Sequence, residues 1–350
     1  MKVLVIGAGP LGSLFTVRLH QAGLYTTLMA RGQRLEELKT HGVVLRDEQS
    51  NLREVVRVPL TDTLSPDDYY DLVIIIMRKN QALELLPVLE ANTRIPSYLF
   101  MMNHAAGSEE LTRKLGADRV LLGFPLPGGS LEGSTVILAS MGRNTYTLPL
   151  GTPDGRITPQ LKEASAVLEC MEGYRTQIRR DMTAWLTYHA AMLMPALVPA
   201  LYASGLSMKR LAETRDLLIL SVRGIKETLK ALRRLGIPPA PKSVRFIELI
   251  PEPLFVLLLR RILRREYAKA SVEGHPRNAR DEMQHITDEL LRFIDPPPGS
   301  LPAVEALRPY FDPSKPPYPK HKQDIPFRWT GVLIPLFFLF LIILVLTAAL

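Results

Sequence analysis

The first twelve residues set the strongest limit on what this chain can become. Val3-Leu4-Val5-Ile6 is a short apolar run that passes directly into Gly7-Ala8-Gly9-Pro10-Leu11-Gly12. A strand that breaks into G-x-G-x-x-G and then into a helix is the opening turn of a dinucleotide-binding βαβ unit. Gly7 permits the tight turn, Gly9 lets backbone approach a pyrophosphate, and Gly12 lets the helix pack on the strand. Leu11, Leu14, Phe15, Leu19 and Ala22 then repeat at helical spacing and Gly23 follows as a C-cap. Unpaired N–H groups and the positive dipole end of that helix suit a phosphate.

The rest of the N-terminal half fits this opening. Apolar runs at 3–6, 26–29, 72–77, 98–102, 120–124, 135–139 and 146–150 alternate with helical segments, the pattern of a parallel α/β sheet. From 181 to about 293 strand signals vanish and long helical segments take over, such as 211–235 ended by Gly236. The expected fold class is α/β: a Rossmann-type domain over 1–168, an all-α domain over 175–311, a Pro-rich basic tether over 312–328, and a membrane-spanning helix over 329–350.

The last two assignments rest on composition. Mean hydropathy is +0.07 despite 22% charged residues, so apolar residues must be concentrated somewhere. Residues 331–350 hold no charged side chain, and fifteen of the twenty are Leu, Ile, Val or Phe. A helix of that length rises about 30 Å, the thickness of a bilayer core. Those fifteen residues favour insertion by roughly 5 to 9 kcal/mol on a translocon-type scale. Trp329 sits where an interfacial aromatic would, and Lys315, Lys320, Lys322 and Arg328 outnumber Asp312 and Asp324 before it. The positive-inside rule then predicts cytoplasmic globular domains. No basic n-region or cleavage site precedes the first strand, so no signal peptide is expected. Ten prolines between 296 and 326 disfavour helix and central strand, hence the tether.

One cysteine, Cys170, excludes an intramolecular disulfide and a cysteine-clustered zinc site. No His or carboxylate spacing points to a metal. The formal charge of +8 calls for an anionic partner. The basic runs Lys230, Arg233-Arg234, Arg260-Arg261 and Arg264-Arg265 read first as solvated helix faces and second as a contact with anionic lipid. Nucleic acid is not expected, since no recognised binding module appears. The end of the second strand narrows the cofactor. Leu28-Met29-Ala30-Arg31-Gly32-Gln33-Arg34 lacks the acid that holds ribose hydroxyls in an NAD site. Arg31 suits a 2′-phosphate, because a guanidinium binds phosphate oxygens in charge-assisted pairs. NADP(H) is therefore the expected cofactor, with Arg31 as the main contact; for Arg34 the plain alternative is a solvated helix residue.

By these features the chain resembles the ketopantoate reductase (2-dehydropantoate 2-reductase) family over roughly residues 1–310. The resemblance rests on GAGPLG, Arg31, Ile76-Met77-Arg78-Lys79-Asn80-Gln81, and Met102-Asn103-His104 before Gly107-Ser108-Glu109-Glu110-Leu111. Further matches are Leu121-Leu122-Gly123, Glu132-Gly133-Ser134-Thr135-Val136 and Ala184-Trp185. It implies an NADPH-dependent enzyme that reduces a 2-keto acid-like carbonyl. Gly7, Ala8, Gly9, Pro10, Leu11, Gly12, Arg31, Arg78, Asn103 and Gly129 would then hold cofactor, and Asn103 and Glu282 would serve the chemistry. Arg78 stands at a family lysine, and Ser271 matches a substrate serine if one residue is deleted. A homodimer is compatible with the sequence, which does not fix the oligomeric state.

The helical domain departs from the pattern. Aligned on Trp185, Thr187 stands at the family's general-acid lysine, and Ala191, Pro195 and Gly205 stand at its asparagines. A threonine hydroxyl is too weak an acid for that task near pH 7. His189 titrates in a better range but lies roughly 200° around the helix from Thr187. Ketopantoate itself is therefore not the expected substrate. A non-catalytic, membrane-tethered NADP(H)-binding sensor or scaffold is the rival reading.

Overall fold

The computed structural model describes residues 1–48, 50–138, 145–264, 273 and 276–329. Its strands are β1 Lys2–Ile6, β2 Tyr25–Met29, β3 Val43–Asp47, β4 Arg53–Val56, β5 Leu60–Thr61, β6 Leu72–Ile75, β7 Tyr98–Met101, β8 Val120–Gly123, β9 Gly129–Glu132, β10 Thr135–Leu138, β11 Tyr146–Gly151 and β12 Tyr174–Ile178. The helices of the first unit are α1 Pro10–Gln21, α2 Gly32–His41, α3 Lys79–Ala91, α4 Glu109–Leu115, α5 Pro159–Glu169 and most of α6 Met182–Leu193. Those of the second are α7 Leu197–Ala203, α8 Met208–Glu213, α9 Arg215–Arg234, α10 Glu252–Leu263 and α12 Pro302–Leu307, while α11 Arg280–Ile294 returns to the first.

In the first unit the strands order as β12-β11-β8-β7-β6-β1-β2-β5, with β11 antiparallel to β8 and the other pairs parallel. The order reverses at β1: the chain goes out to β2 and returns to β6 on the other side. In an open α/β sheet the crevice at such a reversal is where ligands bind. The central strands are apolar on both faces because helices cover both, so Val3, Leu4, Val5, Val73, Ile74, Ile75, Leu99 and Phe100 are all fully buried. The run at 135–139 was expected in this sheet. Instead, β10 lies in a separate four-stranded sheet ordered β4-β3-β10-β9, pairing parallel with β3 and antiparallel with β9. Ala139 lies outside the described residues.

The two compact units do not follow the segments 1–168 and 175–311. One comprises Met1–Ala190 with Ala270–Phe293, the other Ala191–Lys269 with Ile294–Leu350. α11 thus serves the unit that also holds the nucleotide fold, a long-range relation that local periodicity does not encode.

The second unit is built around α9, whose Leu217, Leu218, Val222, Leu229 and Leu232 are buried. The proline-rich stretch expected as a tether is irregular but docked on this unit. Tyr318 N–H donates to the Ala203 carbonyl (2.8 Å), Asp324 N–H to buried Asp216 (2.8 Å) and Arg328 N–H to Glu252 (2.9 Å). With its backbone donors unused by helix or strand, the segment satisfies two buried carboxylates instead. Apart from Trp329, the expected membrane helix lies outside the described residues, and so does Ser271. Among the described residues the run Met182–Ala203 is long and apolar enough to cross a membrane, but 67% of its most apolar window is buried, as in a core helix.

Candidate functional site

The site begins at the β1–α1 turn. Gly7 has φ +110°, and a Cβ there would collide with the Ile76 carbonyl of the neighbouring strand end. A Cβ on Gly12 would collide with the Gly7 carbonyl, so helix and turn approach too closely for a side chain. At Gly9 a Cβ would meet nothing within 4 Å. That open backbone is a cradle able to take a bulky anionic group. Pro10 follows at the first helical position, where its missing N–H costs nothing. Gly129 lies against this loop, its Cβ position 3.3 Å from the Pro10 side chain.

The two arginines after β2 behave differently. Arg31 is exposed, and its Nε donates to the Asp62 carbonyl at 3.4 Å. Arg34 is not a solvated helix residue. Only 16% of its side chain is exposed. Its Nε donates to the Ala8 carbonyl at 3.1 Å and Nη1 to the Ser134 carbonyl at 2.9 Å. Nη1 also pairs with Glu37 at 3.3 Å. Arg34 therefore ties α2 and the β9–β10 hairpin to the glycine loop.

Asn103 follows β7, on the strand-end side where β1 and β6 also finish. It is 8% exposed, and its Oδ1 is buried without a hydrogen-bond partner among the described residues. His104 beside it is 2% exposed. Burial, together with the nearby Lys79 charge, holds His104 well below the usual imidazole range. A buried amide oxygen left unmatched is costly unless something else completes it.

α11 closes on these loops. Arg78 pairs with Asp281 at 2.9 and 3.1 Å and donates to the Asn278 carbonyl. This holds the guanidinium on α11. Burial pushes the Asp281 carboxyl up, but the Arg78 charge and hydrogen bonds from Glu282 N–H, Asn80 and Arg78 outweigh it and leave the pKa lowered. Glu282 is 2% exposed in the first turn of the same helix.

Sequence reasoning missed the pair Lys79 and Glu289. Lys79 opens α3 and donates from Nζ to Glu289 Oε1, which also accepts the Ala106 N–H at 3.1 Å. The two side chains are only 8% and 14% exposed. Glu289 lies seven residues after Glu282, hence on the same helical face. That spacing was a signal in the sequence, although the partner 210 residues away was not.

On α6, Thr187 is buried and its hydroxyl donates to the Thr183 carbonyl at 3.1 Å. His189 stacks on Trp185 with ring centroids 5.2 Å apart and 9° between planes, and lies 4.4 Å from Phe124, which follows β8. Burial lowers its pKa to about 4, so the ring is neutral at pH 7. Ala191, Pro195 and Gly205 belong to the second unit. Among the described residues no three His, Cys, Asp or Glu side chains come together as a metal site.

Residues 3–149 match the sequence model of the ketopantoate reductase PanE/ApbA family. A 2-dehydropantoate 2-reductase of Listeria innocua is 28% identical over 166 residues, covering 47% of this chain and 53% of that protein. One of Lactococcus lactis is 23% identical over 138 residues, covering 38% and 43%. The chain thus spans about half the length of the curated relatives it matches. Solved structures extend the likeness. A 2-dehydropantoate 2-reductase of Geobacter metallireducens superposes with a TM-score of 0.71 at 16% identity, over 90% of this chain and 100% of that one. D-mandelate dehydrogenase with NADH and anilino(oxo)acetate gives 0.66 at 15% identity, over 89% and 97%. At such identities these structures establish the fold. Residues 3–149 of this chain are thus similar to the ketopantoate reductase PanE/ApbA family, and the fold it shares with these solved structures extends beyond them.

Proposed function

We propose that the chain is an NADP(H)-dependent oxidoreductase that reduces the carbonyl of a 2-keto acid-like substrate, held at a membrane by a helix within 329–350 with its globular domains cytoplasmic. The observation that carries the reading is the buried, unmatched Asn103 Oδ1 at the end of β7, in the same unit as a glycine loop whose Gly9 face is open. The residues present fit the cofactor. Gly7 to Gly12 would hold the pyrophosphate, Arg31 would pair with the 2′-phosphate, and Gly129 would border the loop. Bound NADPH supplies a hydride. Asn103 offers two donors and an acceptor, enough to orient a nicotinamide carboxamide or a reacting carbonyl. Glu282, buried at the start of α11, would support ribose or substrate.

Thr187 cannot replace a lysine, since its hydroxyl already donates to Thr183 and its acidity is wrong. Neutral His189 can donate a hydrogen bond but holds no spare proton at pH 7. The substrate is accordingly one whose reduction does not depend on a lysine ammonium on α6, and ketopantoate is not it. The same engaged threonine favours the second reading, a cofactor-binding scaffold without turnover. NADPH oxidation across a panel of 2-keto acids and aldehydes, run beside an NADPH-binding titration, separates the two. Turnover of a panel member supports the reductase. Tight binding with none turned over supports the scaffold, and no binding refutes both.

A further inference from the structure

α10 is apolar on two faces. Val256, Leu259 and Leu263 are buried on one of them. On the other, Leu254, Leu257, Leu258 and Ile262 fall at i, i+3, i+4 and i+8 and are 48%, 59%, 41% and 50% exposed. Phe246 and Leu249, in the 3-10 stretch just before the helix, add 52% and 74%. A helix on the surface of a globular unit normally presents polar side chains outward. A cluster of six large apolar residues between Phe246 and Ile262 marks a face that something covers.

Charge and chain direction identify what covers it. Arg245 flanks Phe246, and Arg261 and Arg264 lie at the far end of the stripe, all three exposed. Exposed acids are lacking on α10 itself, because Glu252 is buried against Arg223 at 2.8 Å. Two copies packed face to face would confine these cations in the same interface, whereas an anionic bilayer would satisfy them. The docked proline-rich segment leads toward the start of this helix. Arg223 donates to the Pro326 carbonyl at 2.7 Å and Arg328 N–H donates to Glu252 at 2.9 Å. Trp329, 52% exposed, comes next, and the twenty uncharged residues 331–350 follow almost at once. An apolar stripe with flanking arginines is the composition of a helix that lies in the plane of a bilayer surface.

We infer that the exposed face of α10, with Phe246 and Leu249, is a membrane-docking surface that lies on the anionic leaflet next to the point where the chain enters the bilayer. The inference rests on the anchor proposed above. It adds that the helical unit is held flat against lipid, not swinging on a free leash.

The test uses the full chain in vesicles of phosphatidylcholine mixed with anionic phosphatidylglycerol. Exposed Cys170 is replaced (Cys170→Ser), and an environment-sensitive NBD label is placed through Leu257→Cys. A solvent-exposed leucine tolerates this change without loss of core packing. Lipids carrying a nitroxide near the headgroup should lower NBD emission about twofold or more, and a nitroxide deep in the acyl chain should act more weakly. Carbonate extraction of the same vesicles reads the anchor separately. Carbonate-resistant protein with an unquenched label overturns the docking surface and leaves the anchor standing. A quenched label on protein that carbonate strips supports the docking surface and removes the anchor. Protein that neither floats with vesicles nor is quenched overturns both. A blue shift that grows with protein concentration in detergent, without quenching by nitroxide lipid, assigns the face to a second copy and overturns the inference.

Discussion

Replacing Glu289 by leucine should destabilise the first unit by far more than any surface substitution. The Lys79 ammonium, 8% exposed, has Glu289 as its ion-pair partner, and the Ala106 N–H uses the same carboxylate oxygen. Removing one member of a buried pair leaves an uncompensated charge and typically costs about 3 to 5 kcal/mol. That is a large share of the roughly 5 to 15 kcal/mol by which a domain is stable. For a unit of this size it corresponds to a fall of about 6 to 20 °C in Tm. Lys79→Met together with Glu289→Leu should recover most of the loss, because an apolar pair of similar volume carries no stranded charge. Asp118→Ala, which breaks a pair whose side chains are 59% and 77% exposed, should cost under about 1 kcal/mol. Urea unfolding followed by Trp185 fluorescence, in a Trp329→Phe background, reads the first unit. If Glu289→Leu cost less than about 1 kcal/mol, or if the double variant were no more stable than the single, the pair would not be the buried lock described here.

Other outcomes follow from the same structure. Arg31→Ala should weaken NADPH by about 1.5 to 3 kcal/mol and NADH hardly at all; equal losses in calorimetric titration would make Arg31 structural. Arg34→Ala should weaken both cofactors together, because it frees the Ala8 and Ser134 carbonyls that shape the loop; unchanged binding of both would contradict that role. Thr187→Lys should not confer ketopantoate turnover near 1 s⁻¹ or faster, although a positioned acid can be worth about 10²- to 10⁴-fold, since the sequence has Ala191, Pro195 and Gly205 where the family it resembles has asparagines. His189 should make the first unit acid-sensitive. Its folded pKa of about 4 lies below the unfolded value near 6.5, so the unfolded chain binds the proton first. Stability is then unaffected above pH 6.5 and falls as pH drops toward 4, by on the order of 3 kcal/mol in total. His189→Phe should make the urea-midpoint profile shallower across that window, leaving the part owed to buried His104, whose pKa is lowered in the same direction, and an unchanged slope would refute the assignment.

How much of this was legible in the sequence depended on the range of the interaction. The β1–α1 turn was readable because three glycines perform three local steric tasks, and β6, β7 and β8 because strands buried on both faces must be apolar throughout. β10 was found as a strand but put in the wrong sheet, since an apolar run does not encode its partner. β12 was missed: Tyr-Arg-Thr-Gln-Ile at a sheet edge is mostly solvent-facing and has no apolar run. Asn103 and Glu282 were singled out from their motifs, and both are buried. The structural task of Arg34 was not legible, because the carbonyls that hold it come from residues 8 and 134. Lys79 and Glu289 were overlooked for the same reason. The docking of the proline-rich segment depends on Asp216 and Glu252, two carboxylates buried on helices about a hundred and about seventy-five residues earlier.

The most direct test of the central claim is transfer of deuterium from NADPH labelled at nicotinamide C4 to a panel of 2-keto acids, with the products read by mass spectrometry. The account predicts label on C2, the former keto carbon, of at least one 2-hydroxy acid product, and an Asn103→Ala variant that still binds NADPH but transfers label at least about 100-fold more slowly. NADPH bound tightly with no label reaching any product would contradict it and leave a cofactor-binding protein without a reaction.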